Sequence, residues 1–351
     1  MSEYWTKTVH QLDPYVPGEQ PQDMQYIKLN TNESPYPPSP LVSKVVESFP
    51  IDTLRRYPDP ESTELANTLA SYHGLEAKQV FIGNGSDEVL AHSFQAFFKH
   101  SKPLLFPDIS YSFYPVYCGL YQIDYKRIPL DDDFCVTLEE YAQPNGGIII
   151  PNPNAPTGIA IGLDVIETIL KNTNSVVIID EAYVDFGAKS AIRLINQYTN
   201  LLVIQTFSKS RSLAGLRLGY ALGHADLIEG LNRVKNSFNS YPIDSIASAI
   251  AVASIDDEAY FQQCRNRVIT SRDWLTKALN ELSFDILPSC SNFLFVQHQS
   301  VLAPTIYNEL RRLGVLVRHF KAKRIDNYLR ISIGTDDECK ALVTALKSII
   351  G

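Results

Sequence analysis

A lysine stands directly after an apolar run: Leu201 to Gln205 leads into Thr206-Phe207-Ser208-Lys209-Ser210-Arg211, and Gly215-Leu216-Arg217 follows. Open α/β sheets hold ligands just beyond the carboxyl ends of their strands, which is where this lysine falls. A primary amine there can attack a carbonyl or carry a proton. The hydroxyls of Thr206, Ser208 and Ser210 and the guanidinium of Arg217 are donors suited to an anion. Taken alone, Ser-Lys is more simply read as a loop with a solvated lysine.

A second run, Val176 to Ile179, ends in Asp180-Glu181-Ala182-Tyr183. A carboxylate closing a buried strand is poorly solvated and calls for a cation, a protonated pyridine nitrogen among them; a helix cap is the plain alternative. Pro151-Asn152-Pro153-Asn154-Ala155-Pro156-Thr157-Gly158 also follows a strand-like run. Its prolines stiffen a turn from which the asparagine amides can make directional hydrogen bonds, or it is only a turn. Gly83-Asn84-Gly85-Ser86-Asp87-Glu88 joins a strand to a helix, where backbone N–H groups form an anion site or Ser86 merely caps. Each segment is weak by itself; their order along one chain is hard to obtain by chance. Other chemistries lack their residues: Glu88 breaks the dinucleotide fingerprint, and no Walker A, His-Glu-x-x-His or Gly-x-Ser-x-Gly occurs. The seven histidines show no ligand spacing, so no metal site is expected.

The elements that must position these groups are short apolar strands at 80–82, 103–106, 147–150, 175–179 and 201–205. Helices are expected between them, from Ser62 as cap to Gly74, over 89–98, 163–171 and 190–197. Uniformly apolar strands alternating with helices predict an α/β fold with a mostly parallel central sheet flanked by helices. Helices from about 226 to 282 lead to strands at 292–297, 315–318 and 328–333 with helices at 303–313 and 336–349, a smaller α+β domain. The proline-rich start reads as an extended arm. The division expected is residues 1–40 as an arm joining the small domain, 41–255 as the large domain and 256–351 as the small domain.

A net charge of −8 opposes sequence-independent nucleic-acid binding. Five scattered cysteines without a Cys-x-x-Cys pair read as free thiols of a reducing compartment. The start lacks the features of a signal peptide, and no run of about 18 apolar residues suggests a membrane span. A cytoplasmic location is expected.

Over nearly its full length the chain resembles the fold-type I pyridoxal-phosphate (PLP) aminotransferases of class II, and within them the histidinol-phosphate aminotransferase family. The resemblance is carried by Pro14 to Pro21, Leu29 to Glu33, Arg56 to Pro60, Gly83 to Glu88, Asp180 to Tyr183, Ser208-Lys209, Leu213 to Arg217 and Leu329 to Thr335. It implies that Lys209 carries PLP covalently, that Asp180 keeps the pyridine nitrogen protonated, and that Tyr183 bonds the phenolic oxygen. By the same likeness Tyr111 stacks on the ring, and the phosphate meets Ser86, Asp87, Ser208 and Arg217. Tyr57 would reach that phosphate from the partner subunit of a homodimer with shared sites. Ala155 stands where the family usually has asparagine before Pro-Thr-Gly, and Asn154 is the candidate to replace it.

Residues 311–330 are rich in cations, with Arg318 and Arg330 inside strand-like runs. The resemblance implies that these two, with Tyr15 and Asn32, bind substrate. The implied reaction moves an amino group between L-histidinol phosphate and 2-oxoglutarate, giving imidazole-acetol phosphate and glutamate in histidine biosynthesis. An aromatic amino-acid aminotransferase and a phospho-amino-acid decarboxylase would use the same constellation. A PLP-sensing regulatory domain would need a DNA-binding module, for which no room exists before Leu29.

Overall fold

The computed structural model describes residues 2–21 and 23–351. Short helix α1 (Lys7–Gln11) precedes the proline-rich arm, which ends in β1 (Ile27–Lys28). Next come α2 (Pro40–Ser48), α3 (Thr63–His73), β2 (Val80–Asn84), α4 (Gly85–Phe97), β3 (Leu104–Pro107), α5 (Tyr114–Tyr121) and β4 (Tyr125–Ile128). They are followed by β5 (Gly147–Pro151), α6 (Leu163–Lys171), β6 (Val177–Asp180), β7 (Leu201–Thr206), β8 (Leu218–Gly223), α7 (Ala225–Phe238) and α8 (Ser245–Asp256). The chain closes with α9 (Glu258–Asn280), β9 (Phe284–Ile286), β10 (Phe293–His298), α10 (Ala303–Arg312), β11 (Val315–Leu316), β12 (Arg318–His319), β13 (Leu329–Ser332) and α11 (Asp336–Ile350).

Seven strands form the large sheet in the order β2-β8-β7-β6-β5-β3-β4. Strands β7, β6, β5, β3 and β4 run parallel, and β8 alone runs against its neighbours β2 and β7. Side chains of a strand alternate between faces, and both faces here are apolar. Ile148, Ile150, Val177, Ile179, Leu201 and Val203 pack with Leu65, Ile166 and Ile250 of α3, α6 and α8. Ile149, Ile178, Leu202 and Ile204 pack with Val89, Tyr114 and Ile228 of α4, α5 and α7. The smaller sheet, β12-β13-β10-β9, is antiparallel and packs on α9, α10 and α11. The arm joins this body: β1 pairs in parallel with β11, and Leu29 and Tyr36 enter its core.

Several sequence expectations are corrected. Ser62 does not cap α3; it lies at φ 46°, and the Asp59 carboxylate accepts from Thr63 N at 2.8 Å instead. Only a single 3-10 turn, Ala191–Leu194, stands where 190–197 reads as helix. The run 315–318 splits, because β11 pairs with the arm and β12 with β13. Strands β1, β4, β8 and β9 lie outside the runs that read as strands. β4 is mostly exposed and not apolar, while Gly219 and Gly223 disguise β8.

Candidate active site

The segments singled out in the sequence converge where β5, β6 and β7 end. Asp180 is the last residue of β6, in register with Pro151 of β5 and Ile204 of β7. Lys209 lies three residues past β7. Its turn is tied down by Thr206, whose hydroxyl accepts from Ser208 N at 3.1 Å and lies 3.2 Å from Leu218 O. Leu213 N also donates back to Phe207 O. The Lys209 ammonium reaches Thr31 O at 3.5 Å and sits 5.6 Å from the centre of the Tyr183 ring. The arm therefore passes directly over the lysine.

Asp180 is 6% exposed. Tyr114 donates its hydroxyl proton to Oδ2 at 2.8 Å, and Ala182 N donates to Oδ1 at 3.3 Å. No ion pair reaches this carboxyl among the described residues, and burial pushes it up to about 6. A buried acid with donors but no cation suits a charged ring nitrogen placed against it.

The phosphate end is equally specific. Helix α4 begins at Gly85, and its first turn presents N–H groups that attract anions. Arg217 lies at φ 56°, and its Nη2 donates to Asp87 Oδ2 at 2.9 Å. Two glycines make room: a Cβ on Gly85, itself at φ +77°, would come 2.7 Å from Arg217 Nη2, and one on Gly219 would come 2.3 Å from Ser86 N. The fit to a flat, phosphorylated cofactor with a basic ring nitrogen is therefore good at both ends. Tyr111, expected to stack, donates to Asp87 Oδ1 at 3.1 Å. Its edge-to-face contact with Tyr114, ring centres 5.6 Å apart, holds it upright.

Asn32 donates Nδ2–H to the Tyr183 oxygen at 3.0 Å, while its Oδ1 accepts from Ser332 and its backbone N donates to the same hydroxyl. Tyr183 thus keeps its own proton free to donate. Asn32 orients Tyr183, a role the substrate assignment did not foresee. Asn154 is engaged elsewhere in this structure. Both its amide hydrogens are engaged, by Ile109 O at 2.9 Å and Thr157 Oγ1 at 3.1 Å, so it has no donor left for a phenolic oxygen. Its Oδ1 is buried without a partner.

Arg318 and Arg330 are cross-strand partners. Arg330 donates to Asn30 O at 2.9 Å, and its buried Nε has no partner. Burial pushes this guanidinium below its ordinary value, with Arg318 adding to the effect. Tyr15 lies beside both Phe113 and Tyr111, 4.9 and 6.4 Å between ring centres. Tyr57 does not join these residues within one chain; it stacks on Tyr241 and is 83% exposed. The residue that sequence reasoning missed is Tyr114, whose spacing from Asp180 leaves no local signal.

Residues 24–346 match the family described as aminotransferase class I and II. Among curated relatives, histidinol-phosphate aminotransferase 1 of Hydrogenovibrio crunogenus is 57% identical, covering 99% of both chains. Histidinol-phosphate aminotransferase of Pseudomonas syringae pv. syringae is 55% identical over 99% of this chain and 100% of its own. The histidinol-phosphate aminotransferase of Sinorhizobium meliloti, solved in complex with pyridoxal-5'-phosphate, superposes with a TM-score of 0.89 at 23% identity, covering 100% and 98% of the two chains. A decarboxylase from Sulfurospirillum multivorans shares the fold as well, with a TM-score of 0.78 at 23% identity over 93% and 96%.

Proposed function

Because this chain belongs to the aminotransferase class I and II family, we propose that it transfers the amino group of L-histidinol phosphate to 2-oxoglutarate, yielding imidazole-acetol phosphate and L-glutamate. The observation that carries this is full-length identity of 57% and 55% to chains named for that activity. The fold alone does not choose the reaction, since a decarboxylase shares it.

The cofactor is pyridoxal phosphate, which when bound supplies a carbonyl for amines and a protonated ring that withdraws electron density. Ser86, Asp87 N–H, Ser208 and Arg217 hold its phosphate. Asp180 keeps a proton on the ring nitrogen, and Tyr183, oriented by Asn32, donates to the phenolic oxygen. Tyr111 covers the ring. Lys209 Nζ would be the covalent anchor, and once the substrate's own amine has displaced it from the cofactor carbonyl, the freed lysine amine would take the proton from the substrate α-carbon and return it one position along. Arg318 and Arg330 receive the phosphate of one substrate and a carboxylate of the other, since a guanidinium fork fits both anions. Tyr15 closes the site from the arm.

The chain acts as a cytoplasmic homodimer. Tyr57, Ile51 and Phe238 are 83%, 65% and 78% exposed, an unusual apolar display that suits burial against a second copy. Tyr57 then serves the phosphate of the partner's site.

The deciding experiment mixes the PLP-loaded protein separately with histidinol phosphate, phenylalanine and threonine phosphate and follows the chromophore. Fast conversion to the pyridoxamine form with histidinol phosphate supports the proposal. Fast conversion only with phenylalanine, or carbon dioxide release from threonine phosphate, overturns it.

A further inference from the structure

We propose that Tyr114 is a positioning residue for Asp180, its hydroxyl holding the charged carboxylate in one rotation so that the remaining lone pairs face the cofactor's ring nitrogen. The inference rests on the functional reading above and deepens it.

Tyr114 is the first residue of α5 and is 0% exposed. Its ring is fixed by Phe106 at 5.8 Å, Phe94 at 6.1 Å and Tyr111 at 5.6 Å between centres. Packing of that kind asks only for an aromatic ring, and phenylalanine would satisfy it. The hydroxyl has a separate use: Asp180 Oδ2 at 2.8 Å is its hydrogen-bond partner. Burying a phenol is costly unless its O–H is satisfied, so this group belongs with the acid.

The acid in turn needs it. Asp180 has no counter-cation among the described residues and is pushed toward its neutral form by burial. A neutral carboxyl cannot balance a protonated ring nitrogen. The Tyr114 hydroxyl opposes that drift, and so does Ala182 N, which as backbone cannot be varied. The other charges facing Asp180 are Asp87 of α4, which raises it, and Lys209 beyond β7, which lowers it. The phenols of Tyr111 and Tyr117 lie behind Tyr114.

The test is a double-mutant cycle on cofactor affinity. Cofactor-free protein is titrated with PLP, following the absorbance of the bound chromophore, for wild type, Tyr114→Phe, Asp180→Asn and the double variant. Tyr114→Phe should weaken binding about tenfold when Asp180 is present, the worth of one hydrogen bond to a charged group. In the Asp180→Asn background, with no charge to stabilise, the change should stay within about twofold. Equal weakening in both backgrounds, or none in the first, overturns the proposal. Should Asp180→Asn bind too weakly to titrate, the pH dependence of PLP affinity in Tyr114→Phe decides. Its acid limb moves up by about one pH unit if the proposal holds and stays in place if it fails. Wild type that binds no PLP would instead sink the functional reading itself.

Discussion

Arg318 of β12 and Arg330 of β13 stand opposite each other in register, two guanidiniums on one sheet face. Arg311, Arg312 and Arg324 nearby have carboxylate partners at 3.2, 2.9 and 3.5 Å. Arg318 and Arg330 have none among the described residues. Two like charges side by side, one with an unsatisfied buried Nε, are what the proposed anion site requires. Arg330→Ala should therefore lower kcat/KM for histidinol phosphate by about 10- to 100-fold, chiefly through KM, and Arg330→Lys should recover only part because it loses the fork. Steady-state kinetics with each variant checks this; an unchanged KM would remove Arg330 from substrate binding.

Lys209→Ala should leave no covalent attachment. After borohydride reduction and peptide mapping, the wild-type label should sit on Lys209 and the variant should carry none. A label on a different lysine would move the anchor.

Gly219→Ala tests the phosphate cradle. Its Cβ would meet Ser86 N at 2.3 Å, a backbone atom that moves only with the start of α4. Overpacking of this kind costs about 1–3 kcal/mol. PLP affinity should fall at least about tenfold, measured by equilibrium titration; an unchanged affinity would remove Gly219 from the phosphate cradle.

Asn154→Ala should act on stability rather than on the cofactor. The substitution removes the bonds to Ile109 O and Thr157 and leaves a buried carbonyl unpaired, a loss of about 1–3 kcal/mol in urea unfolding. The absorbance maximum of the bound chromophore should not shift. A shifted maximum would restore Asn154 to the phenolic oxygen.

His73 gives the fold an acid-sensitive group away from the site. Burial, with help from Arg211, lowers it from 6.5 to about 4, and its Nε2 lies 3.2 Å from the Tyr220 hydroxyl. The unfolded chain takes up this proton more readily than the folded one. Its contribution to stability is therefore complete above pH 6.5 and disappears as pH falls toward 4. Urea unfolding of the cofactor-free protein over that window should show wild type losing more stability than His73→Gln. Parallel curves would mean that His73 is solvated.

The candidate reacting groups could be picked out in the sequence because they sit at or just past the ends of strands that announce themselves. Runs such as Val177–Ile179 and Leu201–Ile204 are buried on both faces, so their apolar character is continuous, and whatever polar residue follows them is carried to one edge of the sheet. That logic locates Asp180 and Lys209 without any knowledge of what lies beside them. It fails for β4, whose exposed edge position leaves no apolar signature, and for β8, where the strand must be thin enough for Ser86 N to approach Gly219. It also fails wherever a partner comes from far along the chain. Ser332 holds Asn32 across 300 residues, Tyr114 bonds Asp180 across 66, and Arg318 meets Arg330 only because two strands pair in one register. Local residue types determined which groups are candidates for the chemistry and on which edge they emerge. Tertiary packing alone decided what each one touches, because hydrogen bonds and charge pairs act over a few ångströms and the chain brings such neighbours together only once it has folded.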